Sequence, residues 1–244
     1  MRLAGIGFRP RLIPTLFTIL AVLLCSSLGA WQVQRLHWKH GLIAAREAAL
    51  AAPPIDLREN RAPAASLEFH HVIAQGTFLN DKEAHVHTIN PQGDPGFDVL
   101  TPLREESGQV VLVDRGFVPT PLEAPATRAA GEPVGPARVG GLLRVAPSRK
   151  PGWFIPDNRP QTGEWFWIDL PTIAATLGVP GAAPYYVQAD AAPNPGGWPK
   201  GGGSDPLALP DNHLQYAITW FALAVAALVI FVLAQRRGAP HASG

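Results

Sequence analysis

LIPTLFTILAVLLCSSLGAWQV, residues 12–33, contains no charged side chain. A helix needs about 20 apolar residues to cross the hydrocarbon core of a bilayer, so this stretch predicts a transmembrane span. A second uncharged stretch, LQYAITWFALAVAALVIFVL at residues 214–233, lies near the other end. Arg2, Arg9 and Arg11 precede the first stretch, and Arg236 and Arg237 follow the second. The excess of positive charge on those flanks predicts that both termini are cytoplasmic and that everything between the spans lies outside. Arg35 and Lys39 oppose this, but they head a loop too long for the rule to count reliably. The first stretch also resembles a signal peptide, with Ser26, Ser27, Gly29 and Ala30 near its end. Its apolar run exceeds the usual signal core, so a retained anchor is expected. No Arg- and Ser-rich stretch precedes it, which points to a bacterial inner membrane with a periplasmic domain.

The expected organisation is a cytoplasmic N-terminus (1–11), a first span (12–33), a β-rich domain (34–190), a Pro/Gly-rich linker (191–212), a second span (213–234) and a cytoplasmic tail (235–244). Charged residues are 16% of the chain, below the roughly 25% of soluble domains, because the two ends are apolar. The formal net charge of +1 gives no footprint for nucleic acid. Twenty-six prolines and 24 glycines argue against a helical bundle. The single cysteine, Cys25, excludes an intrachain disulfide and a C-x-x-C-H haem attachment.

In the middle region, Leu36, Ile43 and Leu50 recur on one helical face, so residues 35–50 continue as a helix until Pro53 and Pro54. Strands are expected at 67–79, 83–89, 97–103, 109–118, 138–145, 164–170 and 185–189. Asn80-Asp81 and Glu106-Ser107-Gly108 look like hairpin turns, and residues 171–177 read as a short helix closed by Gly178. Few helices alternate with these strands. The fold class is therefore two transmembrane α-helices flanking an α+β, predominantly antiparallel domain. The 191–212 stretch is either a mobile linker or a functional lid. Arg115 and Gly116 close an apolar strand, where the charge would make a surface ion pair or cap a carbonyl and the glycine would mark a bulge or close approach.

No G-x-S-x-G, H-E-x-x-H, Walker loop or G-x-G-x-x-G in a strand–helix context is present, which shifts the expectation from enzyme to binding or assembly. His85 and His87 share one strand face, as a metal pair or as a solvated face, with no third ligand to name. His213 stands immediately before the second span, with Tyr216 and Trp220 on its helical face. Trp31, Arg35 and Trp38 share a face at the same level of the first span, and antiparallel spans would let these faces confront each other. Spacing leaves two readings open. One is an interfacial aromatic belt with snorkelling charges, which such residues form at that depth anyway. The other is a haem site, with an imidazole ligand, aromatic walls and a guanidinium for propionates.

Several blocks carry a family resemblance. Leu28-Gly29-Ala30-Trp31-Gln32-Val33-Gln34-Arg35 with Trp38-Lys39 is the first, followed by Gly76-Thr77-Phe78 and by Gly96-Phe97-Asp98-Val99-Leu100-Thr101-Pro102-Leu103. Val111-Leu112-Val113-Asp114-Arg115-Gly116-Phe117-Val118-Pro119, Phe154-Ile155-Pro156-Asp157-Asn158 and residues 165–169 come next. The last is Asn212-His213-Leu214-Gln215-Tyr216-Ala217-Ile218-Thr219-Trp220-Phe221. In this order, between two terminal spans, they resemble the surfeit locus protein 1 family of cytochrome c oxidase assembly factors. The family commonly has Asn where Asp114 and Asp211 stand. The resemblance implies a non-enzymatic assembly factor that binds haem a transiently and assists its insertion into a haem-copper oxidase. His213 would then be the iron ligand, with Tyr216, Trp220, Trp31 and Arg35 around the macrocycle. The implied partners are the oxidase catalytic subunit, a haem a synthase and membrane lipid, with self-association left open. The alternative is a cofactor-free scaffold for oxidase subunits.

Overall fold

The computed structural model describes residues 7–8, 11–60, 62–203, 205–209 and 211–237. It divides into two compact units, Met1–Ala44 with Leu209–Gly244, and Ala45–Ala208. Among the described residues the α-helices are α1 (Leu12–Ala51), α2 (Leu170–Thr176) and α3 (His213–Gln235).

Helix α1 runs without a break from the apolar stretch through the predicted extension. Pro14 sits in its first turn, where the missing N–H has no intrahelical partner to lose. Its 40 residues make a rod of about 60 Å, roughly twice a hydrocarbon core. Both α1 and α3 are long and apolar enough to cross a membrane. At their far ends, strand β1 (Gly7–Phe8) pairs antiparallel with the last strand, β9 (Arg236–Arg237), which brings these two segments side by side. Along the seam of the helix pair, α1 buries Gly29 and Gln32, and α3 buries Ala217 and Ala224. Small residues let the backbones approach; a Cβ on Gly29 would stand 2.8 Å from the Phe221 ring.

The second unit is a mixed barrel. Its strands are β2 (Ile55–Asp56), β3 (His71–Phe78), β4 (Ala84–Ile89), β5 (Pro95–Arg104), β6 (Val110–Pro119), β7 (Pro136–Arg144) and β8 (Tyr186–Ala189). The sheet order is β2-β3-β7-β8-β6-β5-β4, and a further β3–β5 pairing closes β3, β7, β8, β6 and β5 into a ring. The β2–β3 and β6–β8 pairs are parallel and the others antiparallel, as the dominance of short strands predicted. Val72, Ala74, Phe78, Leu103, Val111, Val113, Leu143 and Val187 fill the interior. Val110 and Leu112 point the other way, under Leu170 and Ile173 of α2. Strand β6 is therefore buried on both faces, which is why its sequence is a continuous apolar run rather than an alternation.

Some expectations change. The strand predicted from residue 67 starts at His71, because Ala64–Leu67 is a 3-10 turn and Phe69 has φ 66°. Asn80-Asp81 is not a hairpin turn: it carries the chain from β3 to β4, which lie in succession along one edge of β5. The Glu106-Ser107-Gly108 hairpin forms as expected, with Gly108 at φ 86°. Residues 164–170 form no strand, only isolated bridges at Glu164 and Trp165, because the Asp169 side chain caps α2 by accepting from Thr172 N–H. Strand β6 continues past Arg115, whose side chain is buried and not on the surface. The segment after β8 folds back on the barrel: Lys200 and Phe117 exchange backbone hydrogen bonds at 2.9 Å each way.

Candidate functional site at the helix seam

His213 is the first residue of α3, and its N–H donates to Asp211 Oδ1 at 3.0 Å. Its ring Nδ1 lies 2.8 Å from Gln32 Oε1 on α1. With the carboxamide turned to present its oxygen, Nδ1 is the donor of this pair and a neutral imidazole keeps its lone pair on Nε2. That is the tautomer a metal-binding histidine needs, held by the kind of outer partner that such ligands use. Asp211 also faces His40, with Oδ2 to Nε2 at 3.7 Å.

The other residues named from spacing do not enter the seam. Trp31, Trp38 and Tyr216 are each 54% exposed, and Arg35 stacks on the Trp38 ring at 4.0 Å. Trp220 is half-buried. The faces that meet are set one residue over, at Gly29, Gln32 and Ala217, because close backbone approach needs small side chains that tryptophans would prop apart. The structure thus joins His213 to Gln32 and leaves an aromatic surface exposed on the same helices. The donor set fits one axial nitrogen ligand to haem iron. Among the described residues, no group of three or more His, Cys, Asp or Glu side chains could hold a bare metal ion.

Gln32 lies inside the quoted motif but spacing did not single it out. The available signal was its chemistry: a carboxamide in an uncharged span is costly without a partner, and His213 is the polar group nearest the matching end of the other span.

In the barrel, two polar sites flank β6. On one side, Glu83, Arg115, Arg128 and Glu132 form a buried ion-pair cluster, with Arg128 to Glu83 at 2.5 Å and to Glu132 at 2.6 Å. Arg115 bonds both glutamates and the Gly131 carbonyl. Burial opposes ionisation of Glu83, but hydrogen bonds from His85 and Arg128, with the charges of Arg128 and Arg115, hold it down at about 2. Burial and the charge of Glu83 push Glu132 up. His85 is thereby a member of this cluster, while His87 stacks on Phe166 at 4.8 Å.

On the other side, strand register places Asp98, Asp114, Gln188 and Arg144 on one sheet face, in a cavity of about 620 Å³ shared with Tyr186 and Lys200. Burial and the Asp98 charge push Asp114 up to about 8, against the Gly116 N–H that it accepts and the Arg144 charge. Burial alone lifts Asp98 to about 6.

The SURF1 family profile matches residues 19–225. A SURF1-like protein of Monosiga brevicollis is 37% identical over 223 residues, covering 86% of this chain and 83% of that protein. Surfeit locus protein 1 of Mus musculus is 33% identical over 86% of this chain and 72% of its own length. The Homo sapiens protein of the same name is 32% identical over 87% and 74%. The profile runs from within α1 through the whole barrel and into α3, so the chain belongs to the SURF1 family, whose members are cytochrome oxidase assembly factors.

Proposed function

We propose that this protein receives haem a and hands it to the catalytic subunit of a haem-copper oxidase, with His213 as the iron ligand. The observation that carries the reading is the bond from His213 Nδ1 to Gln32, which leaves Nε2 available at the end of a two-helix seam. Bound haem iron supplies one coordination position to that nitrogen. Gln32 would fix the ring, Trp220 would flank the macrocycle deeper along the helix, and Arg35 would offer its guanidinium to a propionate. One strong bond and a shallow apolar surface suit a carrier that must also release its cargo to the oxidase after taking it from a haem a synthase.

The proposed setting is a bacterial inner membrane, both termini cytoplasmic and the barrel periplasmic. The β1–β9 pairing supports this, since it keeps the two chain ends together. Reporter fusions after Arg11, at Gly108 and after Arg237 should read cytoplasm, periplasm and cytoplasm; a mature chain beginning at Trp31 would overturn the retained anchor.

The test is the visible spectrum of protein purified from cells that make haem a. His213→Ala should lose the haem band at normal abundance, because a long uncharged span still inserts without one interfacial imidazole. Trp220→Ala should lose part of the occupancy, since Trp220 lies roughly 10 Å deeper than His213. Arg35→Ala should also be partial, because water can meet a propionate. A colourless wild-type protein that still supports oxidase assembly would favour the cofactor-free scaffold. A wild-type spectrum in His213→Ala would refute the ligand role.

A further inference from the structure

Residues 148–158 read SRKPGWFIPDN, and the second half of this stretch is one of the blocks that carry the family resemblance. The helix seam does not use it. Ile155 N–H donates to Gly152 O at 3.2 Å, closing a turn with Trp153 and Phe154 at its tip. These two side chains are 92% and 74% exposed, with their rings edge-to-face at 6.1 Å. Adjacent large aromatics this open are unusual on a finished surface and mark a contact site.

The loop is braced from below. Lys150 meets Asp157 at 2.6 Å across its neck. Asn158 accepts from Phe166 N–H at 2.8 Å and donates to Trp167 O at 3.1 Å, tying the base to the barrel. The aromatic tip is therefore presented in a fixed shape, so little ordering would be needed on contact. Arg149, beside it, is exposed and has no ion-pair partner among the described residues.

We infer that the Trp153–Phe154 turn is a membrane-contact loop, which seats its two rings at the headgroup level of an anionic bilayer with Arg149 on lipid phosphates. Three observations choose lipid over a protein surface. Tryptophan beside a cation is the composition of the bilayer interface, where an amphipathic ring and a guanidinium both find partners. The tip is a convex turn rather than a groove that would receive a peptide. The barrel is also joined at both ends to helices long and apolar enough to span a membrane, which would tether it to a bilayer. The inference is independent of haem: either can fail without the other.

The experiment uses the full chain in nanodiscs of phosphatidylcholine with phosphatidylglycerol, in a Cys25→Ser background that removes the single native thiol. A nitroxide is placed at Trp153→Cys and, separately, at Val134→Cys, a control position 96% exposed. Relaxation by oxygen and by a water-soluble nickel chelate reports the depth of each label. At 153 oxygen should outweigh nickel, and at 134 the order should reverse. Phe154→Cys should repeat the 153 result, which guards against one misfolded variant. Nickel-dominated relaxation at both 153 and 154 would overturn the inference, leaving a loop in water. Low accessibility to both reagents would overturn it in favour of a protein contact.

Discussion

In the barrel, Glu83 and Arg128 have side chains 2% exposed and meet at 2.5 Å; between the helices, Gln32 and His213 meet at 2.8 Å. Both are buried polar pairs, yet they bear different loads. The barrel closes around its cluster, so removing one charge leaves the buried remainder unbalanced and away from water. The helix pair is held by apolar length and small residues at Gly29, Ala217 and Ala224, so its polar pair is free to serve binding. Substitutions should separate accordingly, lowering protein level in the barrel and ligand occupancy in the seam.

The largest expected effect on folding is at Gly116. Its φ is 105°, and a Cβ there would stand closer than any contact to the Lys200 carbonyl, at 1.9 Å. Gly116→Glu adds a charge to a backbone conformation and a space that admit neither. The protein should fall to a small fraction of wild-type abundance on a membrane immunoblot, with haem per remaining molecule unchanged. Normal abundance with lost haem would erase the division between the two regions.

Next comes Arg128→Met, which leaves the buried Glu83 and Glu132 to share the single guanidinium of Arg115. The expected loss is roughly 3–5 kcal/mol, the usual cost of breaking a buried pair from one side. Thermal unfolding in detergent measures it. Adding Glu83→Met should recover much of the loss, because apolar replacement of both partners removes the uncompensated charge. The pair also sets the acid limit. Glu83 is held at about 2 in the fold against an ordinary 4.5, so its contribution is complete above 4.5 and is lost as pH falls through 2.

Asp114 carries the opposite sign. Its carboxyl sits at about 8 in the fold against an ordinary 3.8, so the folded state holds the proton more tightly. Stability therefore declines as pH rises from about 4 towards 8 and levels off above. Asp114→Asn keeps an acceptor for the Gly116 N–H and removes the titration. The variant should match wild type near pH 4 and exceed it near pH 8. A pH-independent difference between the two would show that Asp114 does not titrate in this range.

These sites show where sequence was informative. The two long apolar helices, the continuation of the first to Ala51 and most strands were legible, because apolar length and turn residues act locally. Barrel closure was not: the β3–β5 pairing joins residues distant in sequence, and no local pattern encodes it. Arg115 read as a surface charge because its neutralisers, Glu83 and Glu132, come from elsewhere in the chain. The Glu164 strand failed because Asp169 and Pro171 make a helix start that overrides the aromatic run before it. At the seam, His213 was legible from its place before a span. The helical rotation was not, since spacing fixes which residues share a face but not which face the neighbour takes.

Gln32 tests the comparison at its gentlest point, where folding should not respond at all. Gln32→Leu removes the acceptor for His213 Nδ1 while keeping the volume and apolar character of the span, so insertion and abundance should match wild type. The imidazole then loses the bond that selects its tautomer and fixes its ring. Loss of such an outer partner costs about 10–100-fold in affinity at other metal-binding histidines, and the same range is expected for haem here. Titrating haem into the apoprotein in detergent and following the visible band measures it. Gln32→Glu separates positioning from packing, because a carboxylate accepts the same proton and should restore the band that Gln32→Leu weakens. Equal loss in both variants would mean that Gln32 serves only to pack the helices, and unchanged affinity in both would mean that His213 needs no partner to hold its ring.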